Sequence, residues 1–419
     1  MNYIKIKLHN IRSQYYNGLV PVFIIGIIFF ALALFNAIIS YIIPGVMLNS
    51  GLSESQMGII LSSSSVFGIL MDFILNRYIK STNYIRMIFY TIVLMIIFPF
   101  TIIFSKAIGL YILGMAIWAL FTDLWNFAFH DFVSREAKTA FHVSSFALMS
   151  LFNDLGYVLG TMVSTIVEKY SDMNILYILL GILIFASALL GLIFTSKRRR
   201  KEKNIIHEQD DIIITKNTKS LLLVARKLSP LLIIIILIYS IEAVTWTVTP
   251  VISRIAPELE GYGGIILALS FIFGIFAYAL SDPITKKFGK KKTAVMSFIL
   301  SSILLIPQGL VSSAIVYLFI SSLYSFISGF FYPALGGAFA DYLSESKSYD
   351  NEIMVSDSMT KNIAYIIGPA LGGILMQLTN SIVLFTYLGI FVTIIGIIIF
   401  ITLPKNIDFR DRTIQKELL

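Results

Sequence analysis

Stretches of about twenty mainly apolar residues recur along the whole chain, from 19–48 to 381–403, and each is long enough to cross the hydrocarbon core of a bilayer. Runs such as LLIIIILIY at 231–239 leave no polar face to turn toward water. Only 13% of the residues are charged, about half the share of an ordinary soluble domain, while 57% are hydrophobic. A soluble enzyme with a single anchor is thereby excluded. The chain is expected to be an integral, all-α membrane protein, and the run that follows Arg12, which no small-residue cleavage site interrupts, is read as its first spanning helix rather than a cleavable signal.

Cutting the sequence at charge clusters and at Gly, Pro, Asn and Ser punctuation gives twelve segments: roughly 19–48, 55–76, 84–104, 108–132, 142–167, 173–195, 230–252, 262–281, 293–311, 314–342, 353–377 and 381–403. With the N-terminus in the cytoplasm, 29 of the 32 Lys and Arg residues fall on the cytoplasmic side, leaving Lys106, Lys169 and Arg254 on the other. The net charge of +8 is thus a topology signal, not a mark of nucleic-acid binding. Both termini are expected in the cytoplasm of a multi-pass plasma-membrane protein. The run Lys197 to Lys203 has a second possible use, holding anionic lipid headgroups.

The chain has no cysteine, hence no disulfide framework, thiolate metal site or cysteine nucleophile. Its histidines, at 9, 130, 142 and 207, lack metal-ligand spacing, so no metal or cofactor is expected. No Gly-x-x-x-x-Gly-Lys-Ser/Thr phosphate loop is present, which disfavours an ATP-driven pump.

Sliding the sequence on itself by 206 residues lays MGIILSSSSVFGIL (57–70) on GGIILALSFIFGIF (263–276), pairs Pro44 with Pro250 and places Asn36 opposite Glu242. At a shift of 208, Asp154, Tyr157 and Gly160 fall on Asn362, Tyr365 and Gly368. The expected organisation is therefore a cytoplasmic segment (1–18), a six-helix bundle (19–195), a cytoplasmic linker (196–229), a second bundle in parallel orientation (230–403) and a cytoplasmic tail (404–419). Parallel repeats joined by a charged loop are an architecture of transporters, with substrate held near the bilayer midplane between the halves.

Gly-Pro-Ala-Leu-Gly-Gly at 368–373, Ala340-Asp341, and the basic loop Lys286-Lys287-Phe288-Gly289-Lys290-Lys291-Lys292 extend this reading. In these features, and over essentially its whole length, the chain resembles the major facilitator superfamily. The resemblance implies a twelve-helix fold in two parallel halves. It further implies an inner charge network of Asp72, Arg77, Asp282, Lys286, Lys287 and Asp341 that locks the halves together on the cytoplasmic side; the plainer reading is that such lysines, above all 290–292, only anchor topology. By the same resemblance Gly156, Gly160, Gly368, Pro369, Gly372 and Gly373 bend helices during gating, although close helix packing explains the glycines equally well.

Acidic side chains at hydrocarbon depth are costly and usually face a cavity. The mid-span candidates are Asp123, Asp154 and Glu242, with Asn36 and Asn153 as polar companions. Glu242 lies about 18 Å into the seventh segment at 1.5 Å per residue, near the centre of a core roughly 30 Å thick. Tyr239 at i−3 and Trp246 at i+4 share its face, and two rings beside a carboxylate suit a cation. The alternative is that Glu242 only hydrogen-bonds a neighbour and pins the bundle. Asp154 and Asp123 are candidate proton sites, able to load and release a proton as access alternates, with a gate role equally open for Asp123. No Lys or Arg is expected at equal depth, so the cavity is expected to be net negative.

The functional expectation is a monomeric secondary transporter working by alternating access, coupled to protons, with export of a small cationic or amphipathic compound by antiport favoured. A proton symporter importing a sugar, peptide or other nutrient is the alternative. A non-transporting sensor or lipid-handling protein is the rival of another class. The expected partners are a small-molecule substrate, protons and membrane lipids, with no nucleic acid.

Overall fold

A computed structural model describes residues 2–78, 84–103, 107–136, 142–167, 179–189, 218–345, 350–379 and 382–402. These residues fold into α1 (Asn2–Asn49), α2 (Glu54–Tyr78), α3 (Tyr84–Ile103), α4 (Ile108–Glu136), α5 (His142–Val167), α6 (Leu179–Leu189) and α7 (Thr218–Ile255). After one 3-10 turn (Pro257–Leu259) come α8 (Gly263–Phe288), α9 (Lys290–Gln308), α10 (Ala314–Ser328), α11 (Phe331–Glu345), α12 (Asp350–Thr379) and α13 (Leu384–Thr402). An all-helical answer is what a bilayer demands, since only a helix satisfies its own backbone donors and acceptors within one spanning segment. Seven of the described spans are long and apolar enough to cross a membrane, one of them formed by α10 and α11 together, and α8, taken across its bend, brings the number to eight.

The helices follow the twelve expected segments, with three differences. α1 starts at Asn2, through the stretch expected to precede the span, and α7 starts at Thr218, so the last twelve residues of the expected linker are helical. The tenth segment is divided into α10 and α11 at Gly329 and Phe330. Proline is the cause: Pro333 has no N–H to offer the carbonyl of Gly329, four residues back, and its ring clashes there. The same rule accounts for a 58° bend in α8 between Tyr278 and Leu280, because the carbonyl that Pro283 cannot serve belongs to Ala279. Gly289, at a φ of 87°, reverses the chain so that α9 begins one residue after α8 ends.

Polar residues inside the spans are satisfied locally. In the serine run of α2, Ser62 donates to the Gly58 carbonyl at 3.0 Å, Ser63 to Ile60 at 2.6 Å and Ser64 to Leu61 at 2.7 Å. Such back-bonding lets hydroxyls sit in a membrane helix.

Two compact units emerge, Met1–Ser50 with Phe67–Lys203 and Gly51–Val66 with Asn204–Leu419, so the division falls within α2. In the second unit the first turns of α2 meet α12, where Gly58 abuts the Pro369 carbonyl and Gly373 the Glu54 carbonyl. In the first unit α5 packs on α1 through glycines: a β-carbon added at Gly160 would lie 2.6 Å from that of Ala37. The second unit repeats this contact between α12 and α7, where a β-carbon at Gly368 would lie 2.5 Å from that of Ala243. Ala37 and Ala243 are 206 residues apart, Gly160 and Gly368 are 208 apart, so the sequence repeat is carried by the same helix contact in both halves. The polybasic run Lys197 to Lys203, His207 and the tail 404–419 lie outside the described residues.

Candidate functional site

The second unit builds its site around Glu242. α7 places Tyr239 and Glu242 one turn apart, and the contact through Gly368 draws α12 close enough for Tyr365 to donate its hydroxyl to Glu242 Oε1 at 3.1 Å. The break before α11 sets Tyr332 in that helix's first turn, and its hydroxyl donates to Glu242 Oε2, also at 3.1 Å. The Tyr239 ring lies 5.7 Å from that of Tyr332 and 5.9 Å from that of Tyr365, while Tyr278 of α8 stands edge-on to Tyr332 at 6.4 Å. Trp246, one turn beyond Glu242, packs on Phe271 of α8 at 5.9 Å.

The expectation that no cation lies near this depth is corrected. Lys361 of α12 holds its ammonium 5.6 Å from the centre of the Tyr239 ring and pairs with Asp357 one turn earlier at 2.7 Å. Two carboxylates and one ammonium therefore surround the tyrosines, and the negative excess is one formal charge rather than a field without a cation. Glu242 is half-buried, and among the described residues its side-chain hydrogen bonds run to the two tyrosines and it forms no ion pair.

The first unit repeats the arrangement with different chemistry. Asn36 Nδ2 donates to the Tyr157 hydroxyl at 2.7 Å, and Trp125 lies parallel to the Tyr157 ring, the planes 7° apart and the centroids 6.5 Å apart. Asn36 corresponds to Glu242, Tyr157 to Tyr365 and, at a shift of 207, Trp125 to Tyr332. The same three positions thus hold Asn, Tyr and Trp in one half and Glu, Tyr and Tyr in the other. Beside the first set lies a cavity of about 290 Å³ lined by α4 residues Thr122, Trp125, Asn126 and Phe129 and by Ser150, Asn153, Asp154 and Tyr157 of α5. The Asn153 side chain hydrogen-bonds the Asp154 carboxyl. The lining positions of α4 are spaced three and four apart and form one helix face, which Asp123 does not share; the structure joins Asp154 to the cavity and leaves Asp123 out of it.

Of the charges at the helix ends, Asp282 pairs with Lys286 at 2.6 Å within α8, both about three-quarters exposed, and Lys287 stands 5.3 Å from the ring of its neighbour Phe288. Asp341 of α11 takes its partner from α9: Lys290 reaches it at 2.7 Å and donates to the Gly337 carbonyl at 3.2 Å. Lys290, read from sequence as a topology anchor, forms an ion pair between the two helices, which also meet through the rings of Phe298 and Phe331. The side chains of Asp72 and Arg77 lie outside the described residues. An exposed pair within one helix contributes about 0.5 kcal/mol or less. Asp282→Asn is therefore expected to leave the thermal unfolding of the purified protein nearly unchanged, and Asp341→Asn to lower it measurably; a larger loss for Asp282→Asn would contradict the pairing.

Residues 23–348 and 242–417 match the family model described as Major Facilitator Superfamily. The chain belongs to the Major Facilitator Superfamily. Solved structures with a similar fold include the nucleoside transporter NupG, at 12% identity and a TM-score of 0.68, over 91% of this chain and 98% of that one. The peptide transporter POT in complex with sulfate matches at 14% identity and 0.69, over 92% and 94%. A POT family transporter in complex with a thioalcohol conjugated peptide matches at 16% and 0.65, over 92% and 96%. Comparison with curated protein sequences gives no match. The superfamily consists of secondary transporters of small molecules, multi-pass membrane proteins rather than enzymes, and the two halves described above are its fold.

Proposed function

We propose that this superfamily member couples solute movement to protons through Glu242, by alternating access, and that it acts as a monomer to export a small cationic or amphipathic compound in exchange for protons. The observation that supports this is the pair of tyrosine hydroxyls on the Glu242 carboxyl. A phenol both donates and accepts, so it can serve a carboxylate as donor and a carboxylic acid as acceptor. Glu242 can thus take up or give back a proton without stranding a polar atom, which a coupling group needs and a purely structural carboxylate does not. The tyrosine faces around it favour positive charge, and the Lys361 ammonium over Tyr239 is an instance of that attraction.

A second reading rests on the Lys361–Asp357 pair, since an ammonium beside the tyrosines can meet a carboxylate or polar group of an imported nutrient. The names of the similar solved proteins, nucleoside and peptide transporters, agree with it. Proteoliposomes with an imposed pH gradient separate the two: cations that move against the proton flux support antiport, whereas sugars, peptides or nucleosides that move with protons support symport. Absence of substrate-evoked proton movement across the whole panel overturns the coupling. In whole cells, tags on either terminus are expected to be accessible only from the cytoplasm of a plasma-membrane protein, and one exposed outside would overturn that topology.

A further inference from the structure

The cavity beside Asp154 is not used by the coupling chemistry at Glu242, and its lining defines a ligand of its own. We propose that it is the solute-holding subsite of the first unit, and that it takes a single flat aromatic or heteroaromatic ring system bearing two or more N–H donors, neutral or singly positive. This rests on the transporter reading above and names the substrate class for it.

Size is the first constraint. At about 290 Å³ the cavity stands at the lower end of small-molecule pockets, enough for one ring system with a short substituent and too small for a peptide. Shape is the second. Trp125 and Tyr157 lie parallel to within 7°, and the Asn36 amide fixes the Tyr157 hydroxyl at 2.7 Å, so the aromatic part of the lining is a pair of parallel, pre-oriented rings. Flat π-surfaces favour stacked rings and attract positive charge.

Polarity is the third constraint. Thr122, Asn126, Ser150, Asn153 and Asp154 supply hydroxyl, amide and carboxylate oxygens, and no Lys, Arg or His among the described residues lines the cavity. The hydroxyls and amides can donate or accept, and the one carboxylate tips the balance toward ligands with N–H donors and against anions. A saturated sugar offers a C–H face and O–H donors, but neither a flat π-system nor an N–H. A quaternary ammonium has charge but no N–H to give. The repeat adds the last step: where the second half carries Glu242, the first carries Asn36, which binds no proton across the physiological range. The same constellation that exchanges a proton in one half is thereby fixed in the other, as a recognition surface requires.

Equilibrium dialysis of the purified full-length protein, without any gradient, tests the subsite with labelled benzamidine, adenine, nicotinate, choline and glucose. Benzamidine and adenine are expected to bind saturably at one site per chain, and nicotinate, choline and glucose not to bind. Asp154→Asn, which keeps the side-chain shape, is expected to weaken benzamidine roughly tenfold or more through loss of the charge-assisted bond, and adenine by less than about threefold. Asn126→Ala, at an exposed side chain whose loss leaves packing intact, is expected to weaken both by about threefold or more. No binding of either flat donor, choline or glucose binding as well as benzamidine, or undiminished benzamidine affinity in Asp154→Asn would each overturn the subsite. Because dialysis needs no coupling, a protein that binds these rings but moves no protons sinks the proposed function alone, and one that couples protons but binds neither ring sinks the subsite alone.

Discussion

Replacing Glu242 by Gln is expected to abolish gradient-driven accumulation while sparing the fold and the exchange of solute across the membrane. A proton gradient of two pH units stores about 2.8 kcal/mol, enough for roughly hundredfold accumulation or depletion of a solute coupled one to one. The variant should bring that ratio down to about one. Glutamine keeps the shape and both contacts, because its carbonyl oxygen accepts from one tyrosine hydroxyl and its amide donates to the other, at the positions where Tyr332 and Tyr365 now stand at 3.1 Å. The cost to stability is therefore small, about 1 kcal/mol or less. What glutamine lacks is a proton to exchange. Alternating access still operates on a permanently neutral side chain, so labelled solute inside vesicles should still exchange for unlabelled solute outside. Wild-type accumulation in a well-folded Glu242→Gln protein would end this assignment and move the coupling role to Asp154 or Asp123.

The separation between what sequence could and could not show follows from which interactions are local. The spans were legible because twenty apolar residues have one stable answer in a bilayer, and the repeat was legible because its conserved spacing survives in Gly58 and Gly264 and in Phe67-Gly68-Ile69 and Phe273-Gly274-Ile275. Glu242 stood out for the same reason, as a charge in an apolar run. Tyr332 did not, because one tyrosine among many is ordinary and its bond to Glu242 depends on the break that Pro333 imposes between α10 and α11. Extending the repeat to a shift of 207, which brings Trp125 onto Tyr332, was the signal that would have found it.

Lys361 was assigned to the cytoplasmic side by counting charges per segment. A long, flexible stem can run its ammonium toward either end of a helix, and only the fold shows that it turns onto Tyr239. Asp123 shows a different limit: depth along α4 is readable from sequence, but which face of α4 lines the cavity is set by the packing of α5, which brings Thr122 and Asn126 there. Lys290 belongs with these cases, since its partner Asp341 lies on another helix.

The largest stability losses are expected at the two glycines that carry the repeated helix contact. Gly160→Val and Gly368→Val each put a β-carbon 2.5–2.6 Å from an alanine β-carbon and 2.7–2.8 Å from a backbone carbonyl, that of Leu34 in one case and Ser240 in the other. Neither neighbour is the end of a flexible side chain that can swing aside, so α5 must move off α1, and α12 off α7. Overpacking of this kind costs typically about 1–3 kcal/mol, and here both helices also lose the close backbone approach on which association in a membrane depends. Moving α12 also lengthens the Tyr365 bond to Glu242, so Gly368→Val should lose coupled transport along with stability. Gly160→Val should loosen the Asn36–Tyr157 bond by the same displacement. Two controls set the scale. Gly372→Ala brings a methyl to 3.2 Å from the tip of Val248 and asks for only a small adjustment, and Gly68→Ala meets nothing within 4 Å. Thermal unfolding of the purified protein should rank Gly68→Ala nearest wild type, Gly372→Ala next and the two valine variants far below. If Gly160→Val and Gly368→Val melted with Gly68→Ala, the contact through which each half sets its tyrosine against Asn36 or Glu242 would not be the one that holds the bundle together.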